Sequence, residues 1–575
     1  MWQTMLEIVR GALRLLVVLP LPALAAWQLS VTPASLHDEI ALSVSELSPP
    51  VANETDSFIA NSTETVRKTL QALGYYDPDV TLVIDQDTPH LTVNAGQPVR
   101  LRVINIQLVG DAEQDARFRV PAFPQAAGDV LNHGHYEAFK QRLEDLALER
   151  GYFDSRWLVS RIEVNLQERV ADVYLGFDSG ARYQFGPISY REVDGKPLRA
   201  LNAKQLERLT PFKAGDAINS RQLFQLQKNL IETRYFREAQ VSFRRDQTSN
   251  RQVPVEVVVD SRLPSLYSFG LGFATDVGPR LQAEWQRPLL NRDGHGVKVS
   301  SELATQRQSG EIRYRMPWKH PLEDRLEFAL GIQKDRIDDT DTLQTVISAQ
   351  RVLDPRRGWQ RSFGLRLFDE RFRRDSGIQG AERVLAPYAS FNRVQSQGGI
   401  DPSRGNRIFF QTEAASQALV STSDFVSLRA GYRWLNTYQD KHMLLLRGDA
   451  GAIISPDFNR VSPSLRFYAG GDNSVRGFDY RSLSPRNNLN ETVGGQYLLA
   501  ASVEYNWRWR PTWRPAVFMD AGNAFTQASD ARLATGLGVG IRWISPVGPI
   551  RVDLASAVSE PDKPLRLHLT IGSPL

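Results

Sequence analysis

Two short segments toward the C-terminal end of this 575-residue chain carry residue types whose spacing suits buried electrostatic work. The first runs Phe467-Tyr468-Ala469-Gly470-Gly471-Asp472-Asn473-Ser474-Val475-Arg476-Gly477-Phe478. Glycines on both sides of an arginine allow a tight turn that packs closely against other backbone. The second runs Phe518-Met519-Asp520-Ala521-Gly522. If the first segment folds away from bulk water, Asp520 is a partner for Arg476, and losing either member of such a pair costs about 3–5 kcal/mol. If it stays outside, Arg476 is a solvated loop charge and Asp520 an ordinary strand residue. The residues alone leave both readings open.

Catalytic chemistry finds no support. The chain has no cysteine, which removes thiolate nucleophiles and thiolate metal sites. It has eight histidines. His133, His135 and His295 stand out, but none lies in a ligand spacing such as H-E-x-x-H, and they read as surface or helix-start residues. Asp338, Asp339 and Asp341 read as a solvated outer loop. There is no phosphate loop and no nucleophile elbow, so neither an enzyme, a cofactor nor a metal is expected. With 69 Lys and Arg against 65 Asp and Glu, a formal charge of +4 gives no basic groove for nucleic acid.

The elements that must position Arg476 and Asp520 follow from periodicity. Residues 1–25 read as a secretory signal: Arg10 and Arg14, an apolar run from Leu15 to Leu24, then a small-x-small end at Ala23-Leu24-Ala25. A short membrane anchor is the other reading of this stretch. A mean hydropathy of −0.34 excludes a bundle of membrane-spanning helices. Residues 26–260 repeat one unit. Gly128-Asp129-Val130-Leu131-Asn132 recurs as Gly215-Asp216-Ala217-Ile218-Asn219. Each precedes an amphipathic helix (Tyr136, Phe139, Leu143, Leu146; Leu223, Leu226, Leu230) that ends in an aromatic pair, Tyr152-Phe153 or Tyr235-Phe236. An earlier copy ends Gly74-Tyr75-Tyr76. The unit reads as a strand, two helices and two strands, giving three α+β domains at 26–95, 96–179 and 180–260.

From 261 to 575 the period becomes two. Val503, Tyr505, Trp507 and Trp509 alternate with Glu504, Asn506, Arg508 and Arg510, and Leu565, Leu567, Leu569 and Ile571 alternate with Arg566, His568 and Thr570. Sixteen such segments at a pitch of ~20 residues fit an antiparallel transmembrane β-barrel with a wet interior. A soluble β-sandwich also alternates. Export, an unbroken strand series and aromatic residues near strand ends (Trp507, Trp509, Trp513, Trp543) favour the barrel. The arginine-bearing segment is then the sixth outer loop, and Asp520 lies on strand 13.

The Gly-Gly-x-x-x-Val-Arg-Gly-Phe segment resembles the sixth-loop signature of the BamA/TamA superfamily of outer-membrane assembly proteins. Phe518-x-Asp520-x-Gly522 resembles its strand-13 motif, 536–553 its C-terminal strands, and the repeats its POTRA domains. Three POTRA domains before a sixteen-strand barrel is the arrangement of the TamA branch. The tail Gly572-Ser573-Pro574-Leu575 departs from the more usual Gly-Pro-Glu-Leu. The resemblance implies a bacterial outer-membrane location with the repeats in the periplasm. It also implies contact between the sixth loop and strand 13, and a lateral gate between strand 1 (Gly270, Gly272) and strand 16 (Leu565, Leu567, Leu569, Ile571, Gly572). Glycine weakens strand pairing, so such a seam could open and offer an edge to an incoming strand. The partners implied are unfolded outer-membrane or autotransporter clients, outer-membrane lipid, and a TamB-like inner-membrane-anchored protein; phospholipid movement is a further implied cargo. The rival expectation is a two-partner-secretion pore that exports one protein through the lumen.

Overall fold

The structure, a computed structural model, describes residues 27–45, 47, 55–85, 88–261, 265–276, 278–337, 339–355, 358–399, 401–545 and 548–571. The proposed signal and Gly572 lie outside the described residues. Two compact units are formed. One comprises the chain up to Ile188 with Phe212–Leu223 and Phe243–Val255; the other comprises Ser189–Pro211, Phe224–Ser242 and Glu256–Leu575. The third α+β repeat is thus shared between them.

Each repeat carries a three-stranded sheet. The first has β1 (Gln28–Thr32), α1 (His37–Ser45), α2 (Thr55–Ala72), β2 (Asp79–Asp85) and β3 (Thr88–Asn94), in sheet order β1-β3-β2. Ile40, Val44, Val66, Leu70, Leu91 and Val93 form its core. The second has β4 (Arg100–Val109), α3 (His133–Glu149), β5 (Arg156–Asn165) and β6 (Val170–Asp178), ordered β4-β6-β5. Only a 3-10 turn, Asp111–Gln114, stands where the repeat pattern predicts another helix. Pro121 and Pro124 follow it, and proline removes the donor and adds the clash that stop a helix from extending. The third has β7 (Gln184–Glu192), α4 (Ala203–Leu209), α5 (Ser220–Glu232), β8 (Glu238–Phe243) and β9 (Gln252–Asp260), ordered β7-β9-β8.

The recurring motifs prove to be two halves of one joint. After α2, Gly74 takes φ +91 and the Tyr75 N–H reaches back to the Leu70 carbonyl at 2.8 Å. After α3, Gly151 takes φ +84 and the Tyr152 N–H reaches the Ala147 carbonyl at 2.9 Å. This left-handed helix ending is one that glycine adopts without a Cβ penalty. Each glycine then abuts the next repeat. The Gly74 carbonyl accepts from Val99 N–H and a side chain there would overlap the Leu131 carbonyl. The Gly151 carbonyl accepts from Tyr183 N–H at 2.9 Å, and a Cβ would lie 2.6 Å from that of Ile218. Within the second unit, Tyr235 plays the matching part against the barrel. Its hydroxyl donates to the Gly294 carbonyl at 2.7 Å, while Asn202 N–H donates to the Arg292 carbonyl at 2.9 Å.

Sixteen antiparallel strands, β10 (Leu266–Ala274) to β25 (Leu565–Ile571), close into a barrel. Strict alternation builds its two faces. In β21 (Tyr497–Trp507) the residues Leu498, Ala500, Ser502, Glu504 and Asn506 are buried, whereas Leu499, Val503, Tyr505 and Trp507 are exposed. Trp513 and Trp543 stack at 6.0 Å on the outer face, beside exposed Trp507 and Trp509, as aromatic residues do at bilayer interfaces. The inner face is charged and paired rather than dry; Glu327, Asp335, Glu370 and Glu413 are all buried there.

The joint yields a controlled comparison. Gly151→Ala should destabilise the repeats by about 2–5 kcal/mol, from the left-handed backbone plus overlap with Ile218. Gly128→Ala, at φ +94 with open space around it, should cost only the backbone part, about 1–2 kcal/mol. Hydrogen exchange of residues 97–260 in the intact protein would give this order.

Candidate functional site

The sixth loop, between β20 (His442–Ile454) and β21, does not stay outside. It folds into the lumen, where Phe467 and Ala469 pack with Phe368, Val384, Phe425 and Ile453 of the wall. Gly451 makes room for it, since a Cβ there would meet the Phe467 ring at 2.5 Å. Further along, Val475 and Phe478 pack on Ala557. Gly470 and Gly471, at φ +99 and +97, turn the chain at the tip.

Arg476 is the anchor. Its Nε and Nη2 grip both oxygens of Asp520, at 2.7 and 2.9 Å, and its backbone N–H donates to the same carboxylate at 3.0 Å. Its Nη1 donates to Glu504 at 2.8 Å and to Asp553 at 3.1 Å. The guanidinium lies 3.4 Å from the centroid of the Phe518 ring. Thus strand 13, β22 (Trp513–Phe525), supplies an aromatic platform and a carboxylate two residues apart on one face. Gly522 allows close approach to Ala500 on β21. Arg542 of β23 (Ala534–Ser545) bridges Glu504 at 2.9 Å and Asp553 of β24 (Gly548–Ser556) at 2.5 Å. Arg447 donates to the Ser474 carbonyl. Asp520 is fully buried, so the site is stable only while these charges face one another.

Sequence reading missed Glu504, Asp553, Arg542 and Arg447, which lie on four different strands. A signal for the loop's seat was present in Gly536-x-Gly538-x-Gly540. In alternation these three share one face of β23. A side chain at Gly536 would overlap the Arg476 carbonyl, and one at Gly540 would overlap Asp553.

The sixth loop also reaches the meeting of first and last strands. Nine register pairs join β10 to β11 (Gly278–Arg287), and seven join β24 to β25. Among the described residues, β10 and β25 share one, Ala274 with Thr570. Thr275 extends it: its N–H donates to the Leu569 carbonyl at 3.3 Å and its hydroxyl accepts from the Leu569 N–H at 2.8 Å. Gly270 and Gly272 pair with Gln282 and Arg280 of β11, and the structure does not bring them onto β25. On the outer face Phe269, Leu271, Leu565 and Leu567 are exposed, Leu271 at 85%. Leu569 and Ile571 pair with Val552 and Ile550.

Asp276, Asp472 and His568 gather here with donor atoms within 4.8 Å. Both His568 nitrogens are engaged, Nε2 by the Gly477 N–H at 2.9 Å and Nδ1 by Asp472 at 2.5 Å, which leaves no ring lone pair for a metal. Burial and the facing Asp472 carboxylate push the Asp276 carboxyl up to about 7. The other noted residues have local roles. His133 opens α3 and meets the Tyr76 hydroxyl at 2.6 Å, and His295 meets that of Tyr314 at 2.6 Å. Of the acidic group expected to be solvated, Asp338 lies outside the described residues, Asp341 pairs with Arg336 at 3.3 Å, and Asp339 accepts from the sixth-loop Thr492 N–H at 2.8 Å. Asp339 therefore helps seat the loop rather than only facing water.

Arg476→Ala should release the loop, because it leaves Asp520 buried without its bidentate partner at a cost of about 3–5 kcal/mol, while Arg542 still faces Glu504 and Asp553. Arg476→Lys should be intermediate, since one ammonium cannot reproduce the bidentate grip. Protease cleavage within 467–492 of the folded, heat-modifiable barrel should rise in the order wild type, Lys, Ala.

Comparison with known proteins agrees with this architecture. Residues 276–574 match the profile of the Omp85 superfamily domain, and residues 29–95 match that of the POTRA domain TamA domain 1. The outer membrane protein assembly factor BamA of Nitratidesulfovibrio vulgaris is 26% identical over 180 residues, which span 30% of this chain and 23% of that relative. The crystal structure of BamA from Haemophilus ducreyi lacking POTRA domains 1–3 superposes with a TM-score of 0.68 at 14% identity, covering 82% of this chain and 99% of that one. A charged lumen clamped on an inward-folded sixth loop, an apolar outer face and a matched profile over more than half the chain lead to one assignment: this protein is an outer-membrane β-barrel of the Omp85 superfamily, with N-terminal POTRA domains.

Proposed function

We propose that this protein is the outer-membrane component of a translocation and assembly module, inserting autotransporter-type clients through the seam between β10 and β25. The observation that carries the reading is that, among the described residues, one register pair joins that seam, where neighbouring strands share seven or nine. Backbone groups in hydrocarbon need partners, so a thinly joined edge can accept an incoming strand by β-augmentation. The match of the first repeat to a TamA POTRA profile supports the TamA branch and, with it, a TamB-like inner-membrane partner at the repeats. The assembly-factor relative supports protein clients; phospholipid is the second cargo of the same seam. Export through the lumen would require the sixth loop to withdraw and abandon every Arg476 pair, which favours the seam over a secretion pore.

The chain has no cysteine, so a pair of introduced thiols reports cleanly. Ala274→Cys with Thr570→Cys, oxidised, should stop client insertion into membranes and leave lumen conductance unchanged. Reduction should restore insertion. Normal insertion through the oxidised protein would overturn the proposal.

A further inference from the structure

We propose that Asp472 bolts the seam, and that opening parts β10 from the sixth loop and β25, which move as one piece. The inference rests on the reading that this seam opens, and assigns Asp472, Thr275, Asp276 and His568 as the positioning residues that govern how readily it does.

Sheet pairing contributes little at the seam, and the sixth loop supplies the rest from both flanks. Toward β10, the Asp472 carboxylate accepts from the Thr275 hydroxyl at 3.1 Å, and the Asp472 N–H donates to Asp276 Oδ2 at 2.7 Å. Toward β25, the same carboxylate meets His568 Nδ1 at 2.5 Å. One side chain therefore touches both edges. The hydrogen bonds also fix the His568 tautomer. Nε2 accepts the Gly477 N–H at 2.9 Å, so it holds a lone pair and Nδ1 carries the proton given to Asp472. Thr275 joins the relay, since its hydroxyl donates to Asp472 while accepting from the Leu569 N–H.

The two flanks are unequal. On the β25 side the loop is held by both nitrogens of His568, by an ion pair between Asp479 and Arg566, and by the fully buried Arg476 cluster on β21, β22 and β24. Gly477, at φ +96, lies so close to β24 that a Cβ would stand 2.9 Å from the Ala557 nitrogen. On β10 itself the loop is held by the neutral Thr275 contact and the Asp276 acceptor; its further ties on that side, Arg481 to Asp335 at 3.1 Å and Thr492 to Asp339 at 2.8 Å, lie several strands further round the wall. A strained assembly breaks where its bonds are fewest, between Asp472 and the Thr275–Asp276 turn. Gly471 marks the same plane: a side chain there would enter the Asp276 carboxylate at 2.6 Å.

The test is pulsed electron–electron resonance on the full-length protein in lipid nanodiscs. One label pair spans the seam on the exposed Leu271 and Leu567 positions; a second joins Asn473 to Leu567. Thr275→Val removes one hydroxyl and its two hydrogen bonds while keeping the shape, and should raise the open population about thirty-fold, about five-fold for each bond lost. Thr275→Ser should restore it. Asp472→Ala should open the seam further. In every open state the Leu271–Leu567 distance lengthens while Asn473–Leu567 stays fixed. A Leu271–Leu567 distribution unmoved by Asp472→Ala in a barrel that keeps its heat-modifiable mobility overturns the bolt. So does an open state in which Asn473 travels with β10. The cysteine-locked protein separates the two claims: a lock that blocks insertion while Asp472→Ala leaves the seam shut refutes the bolt alone, and an Asp472→Ala seam that opens while the lock leaves insertion untouched supports the bolt and refutes the gate.

Discussion

A sheet immersed in hydrocarbon must give every backbone group a partner, and this constraint governs the molecule. It forces sixteen strands into a ring, while lipid outside and a wet lumen inside force alternation along each of them. It also makes the place where the ring closes unlike the rest, because there the two partners come from opposite ends of the stretch 261–575 and share one register pair among the described residues. What sheet pairing leaves thin at that point, the sixth loop reinforces from the inside.

The loop can do so because it is itself anchored. Arg476 has lost water and gained three carboxylates and an aromatic face. Such an arrangement adds little net stability against an apolar core, but it tolerates no missing member. It therefore acts as a positional constraint more than a source of binding energy. Between its buried end and Gly470 lie Asp472 and the turn that meets β10. Anchor and seam are thus one mechanical unit, and the glycines of β23 are the bed on which it rests.

Much of this is legible in the amino-acid order. Alternation along 503–510 and 565–571 reveals the barrel, and an arginine between glycines with an aspartate in Phe518-Met519-Asp520-Ala521-Gly522 suggests the anchor. The repeat motifs are visible too, though their purpose as a joint is not, because that needs the left-handed turn of Gly151 to be seen against Ile218. Glu504, Asp553 and Arg542 stay hidden, since alternation makes every inward charge look alike until register brings particular ones together. His568 is one polar residue in an alternating strand; only closure sets it beside Asp472. The strand β1 alternates strictly, but over only five residues, too short a run to stand out in the sequence, and the helix expected in the second repeat is undone by Pro121 and Pro124.

The central claim is that β10, among the described residues, lacks a strand partner along most of the edge that faces β25. Amide hydrogen exchange in lipid measures this directly. Peptides covering 266–273 should exchange well ahead of those covering the stretch of β22 from Ala516 to Gly522, which pairs on both sides. Equal protection of the two strands in the intact protein would contradict the account.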